Sequence, residues 1–303
     1  MIFNLLARIY TAGATYNEAA LKMTALLKRN FSITSDILGE FTGDIASINS
    51  VVKEYCGHIA VLGYWQRRFK KQEVSLAVKP SRIGLERSED VFRKNLHVLA
   101  ETAKKAGVFL WVDAEERKDR DIVTDSVIRE RALGYDNIGV AVQCIHSDAE
   151  KYLKKLLDND VSVRLVKGAY TDGDLKTRKE IDKNFDDLIY TAIFYYKKTA
   201  EKVLIAIATH DLKRIEFALR FVNIADAMAR IIQIQMLYGI RVKLQLELVK
   251  KLLTMGVNLL IYVPWGADRI GFLKRRLKEG VQSGAKWLFV RNIFETLRYN
   301  DLK

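Results

Sequence analysis

Arg275 and Arg276 stand side by side in the stretch IYVPWGADRIGFLKRRLKEG, residues 261–280. Two guanidiniums so close repel unless an anion sits between them, and their planar forks match a carboxylate or a phosphate. A run like a strand, Leu259 to Val263, is expected to stop at Pro264 and Gly266, and a helix with Ile270, Leu273 and Leu277 as its apolar stripe would then carry the pair. Phe272 one turn earlier and Glu279 one turn later would share the same edge. A solvated basic helix surface is the plain alternative for such a run. Another cation, Arg164, lies in VSVRLVKGAY, where Val161, Val163 and Leu165 alternate with Ser162, Arg164 and Val166. On a barrel strand one of these faces looks into the lumen, so Arg164 would be buried and in need of a partner. An electron-rich cofactor ring, a phosphate or an internal carboxylate would each serve. Lys167 adds a cation and Gly168 lets a ligand approach the backbone.

The elements that must position these residues form a rhythm. Short β-branched runs begin at Phe31, Val74, Val108, Ile138, Val161, Val203, Ile231 and Asn258, and segments of helical period such as DAEKYLKKLLDN separate them. Eight strands alternating with helices predict an α/β chain folded as a single (β/α)8 TIM-type barrel. The phosphate-loop signatures of doubly wound sheets, GxGxxG and GxxxxGK[ST], are absent. The runs end at or within a residue or two of Glu40, Lys79, Asp113, Gln143, Lys167, His210, Gln235 and Tyr262. Any one of these can simply open a loop, and His210 can cap the helix after it. Eight together make a polar crater at the carboxyl ends of the strands, where such barrels build their sites.

The composition sets outer limits. The chain has 303 residues, 49% of them hydrophobic, enough for one large domain, and shows no linker, short repeat or low-complexity tract. Cys56 and Cys144 fall in no ligand spacing, so neither a disulfide framework nor a metal site is expected. No basic leader precedes the apolar start and no run is long enough to span a bilayer, which makes a cytoplasmic protein the expectation. A net charge of +13 and the run YWQRRFKKQE, Tyr64 to Glu73, admit peripheral association with anionic lipid. A helix C-terminus meeting its macrodipole is the plainer reading of that run.

The motifs SDILGE, SLAVKPSRIGL, WVDAEE, IGVAVQ, VRLVKGAY, IATHD, QMLYG, IYVPWG and FLKRRLKEG, in this order, resemble the successive strand-end motifs of the FAD-dependent proline dehydrogenases. The likeness runs from about residue 33 to residue 285. It implies a distorted barrel over residues 31–285; the N-terminal segment, 1–30, reads as a helix over one end of that barrel, and residues 286–303 as a tail. It implies FAD as cofactor, oxidation of L-proline to 1-pyrroline-5-carboxylate, and a quinone as electron acceptor. The aldehyde dehydrogenase half of the bifunctional members has no room in this length, so a monofunctional enzyme is expected.

Carried over residue by residue, the resemblance makes Arg275 and Arg276 a clamp on the substrate carboxylate, with Lys79 adding positive charge and Asp113 orienting Lys79. Tyr170, Leu237, Tyr262 and Phe272 would wall the ring, and Glu40 would pair with the first arginine as a gate. Gln143, Arg164, Val166, Lys167, Gly168, Ala169, Thr209, His210 and Glu279 would hold the flavin, Arg164 near the nitrogen that accepts hydride.

Three positions depart from the pattern. Phe272 stands where a tyrosine is usual, which relaxes discrimination at the far edge of the ring and leaves hydroxyproline or another cyclic imino acid open as substrate. Gln233 replaces a glutamate, removing a charge expected near the barrel mouth, and Thr171 replaces an aromatic residue of some members. A different flavin barrel enzyme or a basic RNA- or membrane-binding protein are the readings from other classes. No nucleic-acid partner is expected, since a binding module of that kind would not explain the polar strand ends.

Overall fold

In a computed structural model of the chain, residues 7–39, 43–168, 172–196 and 203–274 are described. The strands are β1 (Ser32–Leu38), β2 (Val74–Val78), β3 (Phe109–Val112), β4 (Ile138–Gln143), β5 (Ser162–Val166), β6 (Ile205–Ala208), β7 (Ile232–Leu237) and β8 (Asn258–Gly266). All pair in parallel and in chain order, and β8 closes on β1. Strict alternation gives the barrel two unlike faces. Ile33, Val74, Leu76, Leu110, Val140, Val163, Leu165, Ile205, Ile234 and Ile261 look outward and fuse with the helices into one apolar cluster. The register places Thr34, Ser75, Trp111, Gly139, Ser162, Ala206, Gln233 and Leu260 on the opposite, lumen face. The aliphatic β-branched residues therefore build the wall, and the polar residues between them face a common interior.

The surrounding layer comprises α1 (Tyr16–Lys28), α2 (Ile45–Arg68), α3 (Glu89–Ala106), α4 (Arg120–Ala132), α5 (Ala149–Leu157), α6 (Arg178–Tyr196), α7 (Leu212–Ile224) and α8 (Val242–Thr254). Their starts are sequence-coded. Thr15 and Glu18 form a capping box on α1, Ser88 caps α3, and Asp211 caps α7. His210 is therefore not the cap of its helix. Arg67 and Arg68 occupy the last turn of α2, where cations meet the negative end of the helix dipole, while Trp65 of the same run turns into the core.

Two expectations change. The helix α1 does not lie over an end of the barrel: it packs against β1 and β8, its Ala19, Met23, Leu26 and Leu27 sharing the outer cluster with Ile37, Val263 and Trp265. Nor does β8 stop before Pro264. It runs to Gly266, because the missing N–H of Pro264 would face the side where β7 has already diverged, while Ala12 donates to the Pro264 carbonyl at 2.8 Å. The chain is helical again over residues 269–274, with Leu273 buried as expected and Ile270 41% exposed.

Among the described residues no helix is long and apolar enough to cross a membrane, and no group of three His, Cys, Asp or Glu side chains is arranged to hold a metal ion.

Candidate active site

The lumen face carries, toward the carboxyl edge of the sheet, a connected cluster of charged and polar side chains centred on Asp113. Arg164, 3% exposed on β5, donates through Nη1 to Asp113 Oδ1 at 2.8 Å. The Tyr262 hydroxyl donates to Asp113 Oδ2 at 2.7 Å, and Lys79 Nζ stands 3.9 Å from the same oxygen. The closer partner of Lys79 is Asp36, to which its ammonium bonds directly. Trp111 lies under the guanidinium, its ring centre 4.6 Å from Arg164 Cζ. Lys79, Asp113, Arg164 and Tyr262 thus come together as expected. The internal carboxylate partner left open for Arg164 is Asp113.

Burial works against charge on Lys79, yet Asp36 and Asp113 outweigh it and raise its pKa, keeping the ammonium charged at neutral pH. Burial, and then Asp113, pushes the Tyr262 phenol well above its usual range, so it remains a donor. Burial draws the Arg164 guanidinium down against the pull of Asp113 and Tyr262. Two cations face two carboxylates, so the Lys79 charge is already paired within the lumen. Both oxygens of Asp113 are engaged, which suits a brace rather than a proton acceptor.

Sequence reasoning passed over Asp36 and Glu115. The signal for Asp36 was present: Ser32, Thr34 and Asp36 alternate in β1, placing a carboxylate on the lumen face. Glu115 follows the motif aspartate and accepts from Ser81 N and Oγ at 2.7 and 2.8 Å, fixing the turn directly after Lys79 and Pro80. Its backbone carbonyl accepts from Gln143 Nε2 at 3.0 Å, and burial raises its carboxyl pKa. Asp36→Asn should expose Lys79 to the desolvation its partner now offsets. We expect its pKa to fall into the range of a pH–rate experiment and kcat/KM at neutral pH to drop about tenfold, roughly 1.4 kcal/mol. A profile identical to wild type up to alkaline pH would show that Asp36 does not hold that charge.

The remaining expected positions divide. Leu237 ends β7 beside Tyr262 in register, and its backbone N–H donates to His210 Nε2 at 3.2 Å, tying a residue expected to wall the ring to one expected to hold the flavin. Phe272 is buried with Leu38 and Leu273. Gln143 gives its amide nitrogen to Glu115, and its Oε1 lies 3.2 Å from His146 Nε2. Lys167 is held by Asp182 and, at 3.3 Å, by Asp211, on the helix side of the rim rather than beside Arg164. Thr209 Oγ1 accepts from the Asp211 amide at 3.1 Å. Gly168 adopts φ +102°, and a Cβ there would meet Ile145 at 2.7 Å, so packing and backbone conformation already demand glycine. Val166 closes β5 on the lumen face opposite Ala208. Gln233 is not near the mouth. It pairs in register with Asn258, the first residue of β8, and donates to Glu73 Oε2 at 2.8 Å, toward the opposite end of the barrel, where a glutamate would meet a second carboxylate. Glu40, Ala169, Tyr170, Thr171, Arg275, Arg276, Glu279 and the tail 286–303 lie outside the described residues.

The described residues fit a planar, hydrogen-bonding cofactor. Arg164 Nε and Nη2 are buried without a partner among the described residues. Ala141 and Ala206 flank Arg164 in register and Ala208 flanks Val166, so that stretch of wall carries small side chains. Small residues beside guanidinium donors unsatisfied among the described residues would suit a planar, polar ring.

Comparison with known proteins agrees with this geometry. Residues 19–286 match the profile of the family described as proline dehydrogenase. Proline dehydrogenase 1 of Bacillus subtilis subsp. natto is 29% identical over 276 residues, covering 90% of this chain and 86% of that one. The proline dehydrogenase of Deinococcus radiodurans is 26% identical over 289 residues, covering 92% and 88%. Among solved structures, proline utilization A from Bdellovibrio bacteriovorus inactivated by N-propargylglycine superposes with a TM-score of 0.81 at 21% identity. That likeness concerns the fold, covering 94% of this chain and 33% of the larger protein. With the barrel, its charged lumen and a profile matched over most of its length, this chain belongs to the proline dehydrogenase family.

Proposed function

We propose that the chain oxidises L-proline to 1-pyrroline-5-carboxylate with FAD as cofactor and passes the electrons to a quinone. The observation that carries this reading is the cluster of Lys79, Asp36, Asp113, Arg164 and Tyr262 toward the carboxyl ends of the strands, in a chain that matches the family profile. FAD supplies the hydride acceptor when bound. Arg164, with two nitrogens unpartnered among the described residues, would hold the ring and place a fixed positive charge where the electrons arrive. Tyr262 and Leu237 form one wall of the substrate space and Phe272 another, while Arg275 and Arg276 take the carboxylate.

Hydride leaves the ring carbon beside the nitrogen as the nitrogen lone pair forms the C=N bond, so the amine must be neutral at that moment. The demand on the protein is positional: fixing the carboxylate fixes the carbon that gives up hydride. Asp113 braces Arg164, Tyr262 and Lys79 and has no proton to take in this scheme. Transfer to a quinone agrees with a peripheral contact with anionic lipid through the basic surface.

The decisive experiment is the visible spectrum of the purified protein, recorded anaerobically before and after adding L-proline. A yellow protein that bleaches on addition supports cofactor, reaction and substrate together. A flavin that stays oxidised with proline and bleaches with hydroxyproline would shift the substrate to the reading that Phe272 leaves open, and a colourless protein would sink the proposal.

A further inference from the structure

Residues 7–13 precede the stretch matched by the family profile, yet they pack along the carboxyl rim of the barrel, against the ends of β1, β7 and β8. Residues 7–10 are helical, and Thr11 closes this turn, its N and Oγ1 donating to the Ala7 carbonyl at 2.9 and 2.7 Å. Ala12 then donates to Pro264 O at 2.8 Å, and Gly266 donates to Gly13 O at 3.0 Å, so the segment takes the place beside β8 that β7 has vacated. On its inner side Ala7, Ile9 and Tyr10 are buried with Leu38, Phe272 and Leu273 in a cluster separate from the main core, with Leu237 packed against it. Beneath it lies Gly239, at φ +74°, where an added Cβ would stand 1.9 Å from the Ile9 carbonyl oxygen. Here the loop after β7 and the segment meet backbone to backbone, and only glycine fits.

We propose that residues 7–13 are a strap that positions the mouth of this chain's site, seating Phe272 and the turn 269–274 that leads into Arg275 and Arg276. This rests on the reading of the site given above, since Phe272 and Leu237 matter as walls only if the ring of a small imino acid lies between them. The physical argument is one of population. The turn 269–274 buries Phe272 and Leu273 against the strap and the end of β1, so a loosened strap lets the turn leave its seat. Apparent affinity then falls by the fraction of molecules still seated, while a substrate once clamped reacts in the same geometry. The strap thus acts on KM rather than on kcat.

The test compares the full-length wild type with Ile9→Ala and with Ile9→Ala/Tyr10→Ala, the single variant serving as the milder form. We expect KM for L-proline to rise roughly tenfold in the double variant with kcat nearly unchanged. Hydrogen exchange read by mass spectrometry should quicken by a similar factor in the peptide covering residues 267–274 and not in the strands, with flavin content retained. Unchanged exchange in that peptide overturns the proposal, as does faster exchange there with an unaltered KM. Faster exchange throughout, with kcat and flavin content falling together, overturns it too, because it marks a merely structural segment. The exchange measurement needs no substrate. A wild type inert toward proline would therefore fail the functional reading while exchange alone still judged the strap.

Discussion

Arg164→Met is expected to lower kcat with L-proline by about 10² to 10³, the usual effect of removing one preorganised donor from a dry site. The guanidinium is 3% exposed, stacked over Trp111 and joined to Asp113 at 2.8 Å, and it leaves Nε and Nη2 directed at no described group. Methionine has similar reach without the fork. It removes the two donors that have no partner among the described residues and leaves Asp113 with Tyr262 and a distant Lys79. Arg164→Lys should fall between the two, since a point charge cannot hold Asp113 and a ring at once. The measurement is kcat with a soluble dye as acceptor, together with flavin content and, where flavin is retained, its midpoint potential, which should move negative. A methionine variant with wild-type turnover would remove Arg164 from the proposed chemistry.

The second large effect concerns stability. His58 of α2 is 5% exposed, lies edge-on to Tyr16 and within 5.3 Å of the Trp265 ring centre, and burial holds its pKa down at about 4. Its Nε2 is 2.8 Å from Ser35 Oγ, which accepts from Trp265 Nε1 at 2.8 Å, an arrangement that suits a neutral imidazole receiving the serine proton. With a folded pKa near 4 and an unfolded value of 6.5, the unfolded chain binds the proton first. Stability from this residue is full above the unfolded value and is lost as pH falls from there toward the folded value, roughly 3 kcal/mol in all. Glu54 and Arg82 line the same hollow, so the informative quantity is a difference between proteins. Urea unfolding of wild type and His58→Gln at about pH 7.5 and about pH 4.5 should show the wild type losing 2 to 3 kcal/mol more than the variant. Equal losses would mean that His58 takes up its proton without unfolding.

Much of this molecule was legible in one dimension because its signals are local. The alternation in β1 to β8 fixes which residues face the helices, so the barrel, the wall of β-branched residues and the lumen position of Arg164 follow from period and spacing alone. Polar strand ends named Lys79, Asp113 and Tyr262 for the same reason, and the order of the motifs fixed the family. What the sequence left open is who meets whom. Asp36 and Lys79 are 43 residues apart, and Tyr262 and Asp113 are 149 apart. Which lumen carboxylate reaches which cation depends on the stagger of strands around a closed barrel, a property of the whole sheet that no single strand carries. The same stagger sends Gln233 to Glu73 at the far end, and it carries β8 beyond β7 so that Pro264 is tolerated within a strand. The strap is the extreme case. Ala7, Ile9 and Tyr10 form a short apolar run far in sequence from the side chains they pack with, and closure of the barrel, which brings Leu38, Leu237 and Phe272 to one rim, is what gives them that surface to bury against.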